Sequence, residues 1–432
     1  FLLLLASLWA CGSDSPVGQL ADVVIPPATS SRPNILLIIA DDLGLDAAPG
    51  YGDGINPHMP VLQSLQSEGL TFDNAWAYPV CSPTRSSILT GRHGFRTGVL
   101  SAVPPENAIP MGETSLHALL AARPSYNSAL IGKWHLSGSS NGDADSPARL
   151  GIDHYAGLLT GSHQSYHTVR LTQNGVGSTV NQYATTLFTD LALSWLEDQA
   201  SPWFLWLAYT APHAPFHLPP DSLHYSQGLS DDPAAIDADP LSYYLAMLEA
   251  MDTEMGRILD AVDRQNTIVI FIGDNGPPTA VAQLPYRPRR VKGTVYQGGL
   301  QVPLVVSGAG VDRAGQREAA LVSSVDLFAT IAELAGTEGQ DSQDSQSFVG
   351  LLGDASAPAR THVYAQIGGD APAFAIRDST YKLIDFGGGS RQLFNLALDP
   401  YERSDLLADD LDSEAAAALV SLEETALFLR TP

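Results

Sequence analysis

Cysteine is almost absent from this 432-residue chain, with Cys11 and Cys81 the only two. Two thiols cannot build the disulfide framework of a small secreted scaffold, and their separate local contexts argue against one bridge between them. Basic residues are scarce as well: 22 Lys and Arg stand against 47 Asp and Glu, for a formal net charge of −25. Such a surface repels nucleic acid and anionic membranes, which excludes them as general partners. It also repels an anionic substrate at long range, so a site for one must gather the few cations locally. Long apolar runs are lacking, and the one that opens the chain (residues 1–10) is too short to span a bilayer as a helix. No repeat at solenoid or propeller periods is visible. What is present is a globular composition, 44% hydrophobic, with enough length for one large domain and a smaller one.

Residues 1–11 read as the tail of a truncated secretory signal. Their ending, Leu8-Trp9-Ala10-Cys11, resembles a bacterial lipoprotein signal in which the cysteine is lipidated. The expectation is an exported bacterial protein, periplasmic or anchored to the outer membrane through Cys11. Residues 12–32, rich in Ser, Pro, Ala and Asp, read as a linker.

From residue 34 the pattern changes. Asn34-Ile35-Leu36-Leu37-Ile38-Ile39-Ala40 is a continuous, β-branched apolar run, as expected of a strand covered on both faces. Similar runs recur at 128–131, 203–207, 267–272 and 303–306. Helical patterns at 59–68, 114–122, 185–197 and 241–264 fall between them. This alternation predicts an α/β fold with a large, mostly parallel central sheet flanked by helices, whose ligands gather at the carboxyl ends of the strands. After a Gly-, Asp-, Gln- and Ser-rich stretch at 336–347 come short strand candidates at 381–385 and 392–396 and an Ala/Leu-rich helix at 413–429. The division expected is a catalytic domain over 33–350 and a small C-terminal α+β subdomain over 351–432, with antiparallel strands plus a helix.

Five segments carry chemistry. In Val80-Cys81-Ser82-Pro83-Thr84-Arg85, Ser82 reads as an N-cap and Pro83 as the first helical residue, which puts Cys81 just before a helix N-terminus. Free amides and the positive end of the helix favour an anion there, and Arg85 falls on the same face. Asp41-Asp42 and Asp274-Asn275 each follow a buried strand. If those strands are neighbours, three carboxylates and an amide oxygen converge, a hard-oxygen set suited to Ca²⁺ or Mg²⁺ and not to Zn²⁺. Lys133 and His135 follow a further buried strand, and His213 another.

Cys81-x-Pro83-x-Arg85 followed by Thr90-Gly91-Arg92 resembles the signature of the type I sulfatases, arylsulfatase-like members of the alkaline phosphatase superfamily. Gly132-Lys133-Trp134-His135-Leu136, Pro212-His213-Ala214-Pro215 and Lys292-Gly293…Tyr296-Gln297-Gly298-Gly299 resemble further segments of that family, in its order. The likeness extends from about Pro33 to Leu406, through Arg377-Asp378…Tyr381-Lys382-Leu383 and Gln392-Leu393-Phe394. It implies that a maturation enzyme oxidises Cys81 to formylglycine, whose hydrate attacks sulfur, forms a covalent sulfate ester and then eliminates sulfate. It implies one divalent cation, Ca²⁺ foremost with Mg²⁺ as the alternative, on Asp41, Asp42, Asp274, Asn275 and the residue-81 side chain. It further implies that Lys133 and Lys292 contact the sulfate, that His135, with a near-neutral pKa, is the base, and that His213 assists at a sulfate oxygen or the leaving group. Ser162 and His163 are further candidates for substrate contact, and Trp134 reads as core. The substrate implied is a sulfated small molecule or glycan. Gln297 and Gln301 depart from the family's Glu and Arg. Because both charges are lost together, neither is orphaned, but the positioning of Lys292 is put in question. Two other readings remain: a phosphonate monoester or phosphodiester hydrolase on the same scaffold, and a non-enzymatic binding protein.

Overall fold

The computed structural model describes residues 32–52, 54–122, 126–199, 202–337, 344–369 and 372–431. The expected signal segment, the lipidation site Cys11 and most of the linker lie outside the described residues, as does part of the stretch at 336–347. Among the described residues no helix is long and apolar enough to cross a membrane.

Among the described residues fourteen strands form two sheets. In chain order they are β1 (Asn34–Ala40), β2 (Gly69–Trp76), β3 (Asn127–Lys133), β4 (His154–Leu158), β5 (Val169–Gln173), β6 (Val176–Val180), β7 (Trp203–Ala208), β8 (Thr267–Gly273), β9 (Leu304–Gly308) and β10 (Gln316–Ser323), then β11 (Val363–Ile367), β12 (Ala373–Arg377), β13 (Tyr381–Asp385) and β14 (Arg391–Asn395). The first ten make one sheet in the order β10-β2-β9-β8-β1-β7-β3-β4-β5-β6. Its centre, β8-β1-β7-β3-β4, is entirely parallel. β9 departs from the parallel reading, since it runs antiparallel to both β8 and β2. A strand buried on both faces has the same apolar sequence whichever way it runs, so composition could not tell the two directions apart.

Alternation within β1 explains the layering. Ile35, Leu37 and Ile39 join one core with Ile88 and Leu89 of the helix Cys81–Thr90 and Leu327, Phe328 and Ile331 of the helix Asp326–Leu334. Leu36, Ile38 and Ala40 join a second core with the helices Pro60–Glu68, Ala184–Glu197 and Pro240–Ala261. Both faces of the sheet are therefore closed to water, and seven successive apolar or amide-bearing residues are needed to fill them.

The four C-terminal strands form an antiparallel sheet in chain order. One face (Val363, Ala365, Ala375, Ile384, Phe394) packs on Trp76, Tyr78 and Leu300 of the large sheet and its loops. The other (Tyr364, Ile376, Leu383, Leu393) is covered by Ala415, Leu422 and Ala426 of the helix Ser413–Arg430. β11 and β12 were not foreseen from the sequence, although β13, β14 and the helix were.

Candidate active site

Register alone assembles the rim. Ala40 of β1 pairs with Gly273 of β8, Ile39 with Ala208 of β7, and Ala208 with Gly132 of β3. The residues that follow these positions are Asp41, Asp274, Tyr209 and Lys133, so four neighbouring strands end on one level. The helix Cys81–Thr90 points its first turn at that level and stops at Gly91, whose φ of 69° is the left-handed ending that glycine allows.

Cys81 is the first helical residue, with Val80 as N-cap, two positions earlier than the sequence suggested. The expected cap, Ser82, is engaged elsewhere: its hydroxyl donates to His135 O at 2.7 Å. Pro83 at the third helical position costs nothing in hydrogen bonds, because the first four amides of a helix have no partner within it.

Arg85 is wholly buried and tied in two directions, from Nη2 to Asp274 Oδ2 (2.8 Å) and from Nη1 to Lys133 O (2.8 Å). Lys133 Nζ reaches Asp41 Oδ2 at 2.5 Å and Cys81 Sγ at 3.3 Å. Lys292 Nζ bonds Asp42 Oδ1, and His213 Nε2 lies 3.8 Å from Asp42 Oδ2. Asp274 Oδ1 accepts from the amide of Asp42 (3.0 Å), and Asn275 Nδ2 donates to Asp42 Oδ1 (2.8 Å). The expected catalytic and metal residues are thus brought together. Ser162 is not among them and is exposed, while His163 is buried behind the rim, with Nε2 2.9 Å from Thr210 Oγ1.

The donors fit a hard cation. Asp41 Oδ1 and Asn275 Oδ1 are buried without a hydrogen-bond partner, an arrangement that is costly unless something positive lies against them. Ligand atoms of Asp41, Asp42, Cys81 and His213 lie within 4.8 Å of one another. Both oxygens of Asp274 are occupied by Asp42 N–H and Arg85, so Asp274 would have to share them with a metal.

Charges at the rim shift one another. Burial pushes the Asp42 carboxyl up, but Lys292, His213 and Lys133 outweigh it and hold the group well below the carboxylate range. Burial and then Asp41 push Asp274 up to about 6, against Arg85. The Cys81 thiol is pushed up to about 11, chiefly by burial, with Lys133 and Lys292 pulling the other way. As it stands it is a neutral thiol at pH 7, a poor nucleophile. His135 does not meet the expectation of a near-neutral pKa. Burial first, then Lys133, Arg85, His213 and Lys292, depress it well below the usual histidine value. His213 falls to about 4, from burial opposed by Asp42.

Several positioning groups had no sequence signal. Thr84 accepts from Tyr78 N (2.9 Å) and donates to Asp274 O (2.6 Å). Tyr244 OH donates to Asp42 O (2.9 Å), and Tyr166 OH lies 2.7 Å from Thr210 O and 2.6 Å from His213 O. The neutralised pair is a hydrogen bond, Gln297 Nε2 to Gln301 Oε1 (3.0 Å). Beside it, a buried Lys382–Glu402 pair has Glu402 Oε2 accepting from Gln297 N (2.6 Å). Arg287 and Arg289 are exposed, and Arg290 lies over the Tyr296 ring, 4.2 Å from its centroid.

Residues 33–337 match the family model described as Sulfatase, and residues 291–425 match that of the N-sulphoglucosamine sulphohydrolase C-terminal region. Arylsulfatase G of Mus musculus is 31% identical over 71% of this chain and 65% of its own. The first curated relatives are matched over only 53% to 65% of their length. Among solved structures, i-CgsB in complex with k-i-k-neocarrahexaose has a TM-score of 0.78 at 25% identity, covering 92% of this chain and 93% of that one. A phosphonate monoester hydrolase of Agrobacterium radiobacter has a TM-score of 0.69 at 21% identity over 92% and 95%, a likeness of fold alone.

Proposed function

The chain belongs to the sulfatase family, and from that premise we propose that it is a sulfuric ester hydrolase working at the rim around residue 81. The observation that carries the reading is one juxtaposition. Cys81 Sγ lies 3.3 Å from Lys133 Nζ at a helix start, beside two buried oxygens, Asp41 Oδ1 and Asn275 Oδ1, that lack partners. Conversion of Cys81 to formylglycine by a maturation enzyme would supply the nucleophilic hydroxyl that a neutral thiol lacks. A divalent cation, Ca²⁺ in preference to Mg²⁺, would be held by Asp41, Asp42, Asp274, Asn275 and the residue-81 side chain, and would polarise a sulfate oxygen.

The protein's own groups supply the remainder. Lys133 and Lys292, with the first-turn amides of the helix Cys81–Thr90, present donors to a tetrahedral anion. Arg85 keeps Asp274 ionised and seated, as burial alone would favour its protonation. His135 stays neutral at pH 7, and its buried Nδ1 has no partner. It can therefore take a proton, and a bound anion among these cations would raise its basicity. His213 Nδ1 lies 2.7 Å from Ala214 O, which assigns its proton there and leaves Nε2 toward Asp42 and the leaving oxygen. The neighbour solved with k-i-k-neocarrahexaose supports a carbohydrate as the sulfate bearer.

Intact-protein mass tests the nucleophile. Active protein should be lighter than the encoded chain by about 18 Da at residue 81, from loss of sulfur and two hydrogens with gain of oxygen. Cys81→Ala should lose about a thousandfold or more in kcat with an unchanged Tm. Full activity with an unmodified thiol would refute the mechanism. Ca²⁺ should raise Tm through preferential binding to the native state, and Asn275→Ala should weaken that shift. The alternative is phosphonate monoester or phosphodiester hydrolysis on the same rim, since phosphate and sulfate are alike in size. Parallel rates on an aryl sulfate and an aryl phosphonate separate the two, and faster phosphonate turnover would reverse the assignment.

A further inference from the structure

We propose that a hydroxyl-lined hollow beside the rim is a second anion subsite, taking a sulfate or carboxylate on the sugar next to the one whose ester is cleaved. The inference rests on the sulfate-ester reading and adds a substrate class to it: a glycan with negative charges on adjacent sugars. The hollow has a volume of about 660 Å³, room for a sugar ring.

One wall is the antiparallel edge of the large sheet. Side chains of β5 alternate, so Val169 and Leu171 enter the core while Arg170 and Thr172, with Thr168 just before the strand, line the hollow. Thr179 of β6 pairs across from Arg170 and lines it too. Gln164 Oε1 accepts from Arg170 Nη2 at 3.0 Å, which steadies the guanidinium while leaving its charge uncancelled by that contact. Among the described residues no Asp or Glu lines the hollow, in a chain whose acids outnumber its bases 47 to 22. A guanidinium fork surrounded by hydroxyls suits sulfate or carboxylate on a sugar, with the hydroxyls exchanging hydrogen bonds with those of the ring.

Placement joins this hollow to the reacting centre. Leu159 and Thr160 line both it and a second hollow, of about 420 Å³, that His135 also lines. His163, at its back, lies 2.9 Å from Thr210 Oγ1, and His213 N donates to Thr210 O at 2.8 Å. The shared wall at Leu159 and Thr160 would direct the neighbouring sugar of a glycan with its scissile sulfate beside His135 toward the hollow that Arg170 lines.

The test compares the purified protein with Arg170→Gln on three kinds of substrate. They are an aryl sulfate, a sulfated disaccharide with a neutral neighbouring sugar, and the same disaccharide with a sulfate or a uronate carboxylate on that neighbour. The expected result is about a tenfold loss of kcat/KM, mainly through KM, confined to the doubly anionic disaccharides and shrinking as salt is raised. A uniform loss across all three, or none, would overturn the subsite; the sulfate and carboxylate arms identify the anion. Calorimetric binding of the doubly anionic disaccharides to Cys81→Ala, with and without Arg170→Gln, decides the subsite without turnover. About tenfold weaker binding supports it, and equal affinity sinks it. A protein that hydrolyses none of the sulfates would count against the hydrolase reading alone, since the binding arm still decides the subsite.

Discussion

Asp42 and His135 hold φ at 75° and 58°, in the left-handed region that residues with a Cβ rarely enter. Such conformations cost about 1–3 kcal/mol each and persist where the surroundings impose them. At Asp42 the backbone is held by Asp274 Oδ1 and Tyr244 OH, and at His135 by Ser82 Oγ and the chain leaving β4. Gly161 completes the second enclosure: a Cβ there would stand 2.5 Å from Cε1 and Nε2 of the His135 ring. Gly161→Ala is expected to displace that ring and lower kcat about tenfold or more, with Tm nearly unchanged. An unaltered kcat would show that the ring's position is not critical. At this scale the residues that converge on the rim were legible because Cys81, Arg85, Lys133, His135, His213 and Lys292 each sit in a short motif. Thr84, Tyr166 and Tyr244 were not, because a hydroxyl that braces a distant carbonyl leaves no mark in local spacing.

The helix Pro60–Glu68 begins at Met59 with no side-chain cap of its own. Its first amides are satisfied from another element: Asp252, on the helix Pro240–Ala261, accepts from Val61 N (2.9 Å) and Leu62 N (2.8 Å). Asp252→Ala leaves two amides without partners and should cost about 2 kcal/mol, read as a lower urea midpoint at unchanged m-value. A change within error would mean that water replaces the carboxylate freely. The strands β1, β3, β7, β8 and β9 could be read from the chain because a sheet covered on both faces demands unbroken apolar runs such as Ile35–Ile39, whereas β2, β4, β5, β6 and β10 were not picked out. The strands β11 and β12 escaped notice because Val363–Ile367 and Ala373–Arg377 mix Ala, Gln and Arg with apolar residues. Their partners supply the pairing that their composition does not advertise.

Across the molecule, buried imidazoles set a limit on acid tolerance. His93 and His117 are each depressed to about 3, chiefly by burial. In the unfolded chain they take a proton near the ordinary value of 6.5, so the native state binds fewer protons below that pH. Their contribution is present in full above 6.5 and is lost as pH falls toward 3, at about 1.4 kcal/mol per unit for each. Urea unfolding at pH 7 and 5.5 should show the fall. His117→Phe, which keeps a ring against Phe204 and Trp206, should reduce it by about one histidine's share, and an unchanged slope would contradict the assignment. The small sheet bears on integrity in a different way. Val363, Ala365, Ala375, Ile384 and Phe394 roof over Trp76, Tyr78 and Leu300, and Glu402 reaches back to the Gln297 amide. A chain cut near residue 350 would lose that roof, and the fragment left behind, with the indole of Trp76 and the phenol of Tyr78 facing water, is expected to clump.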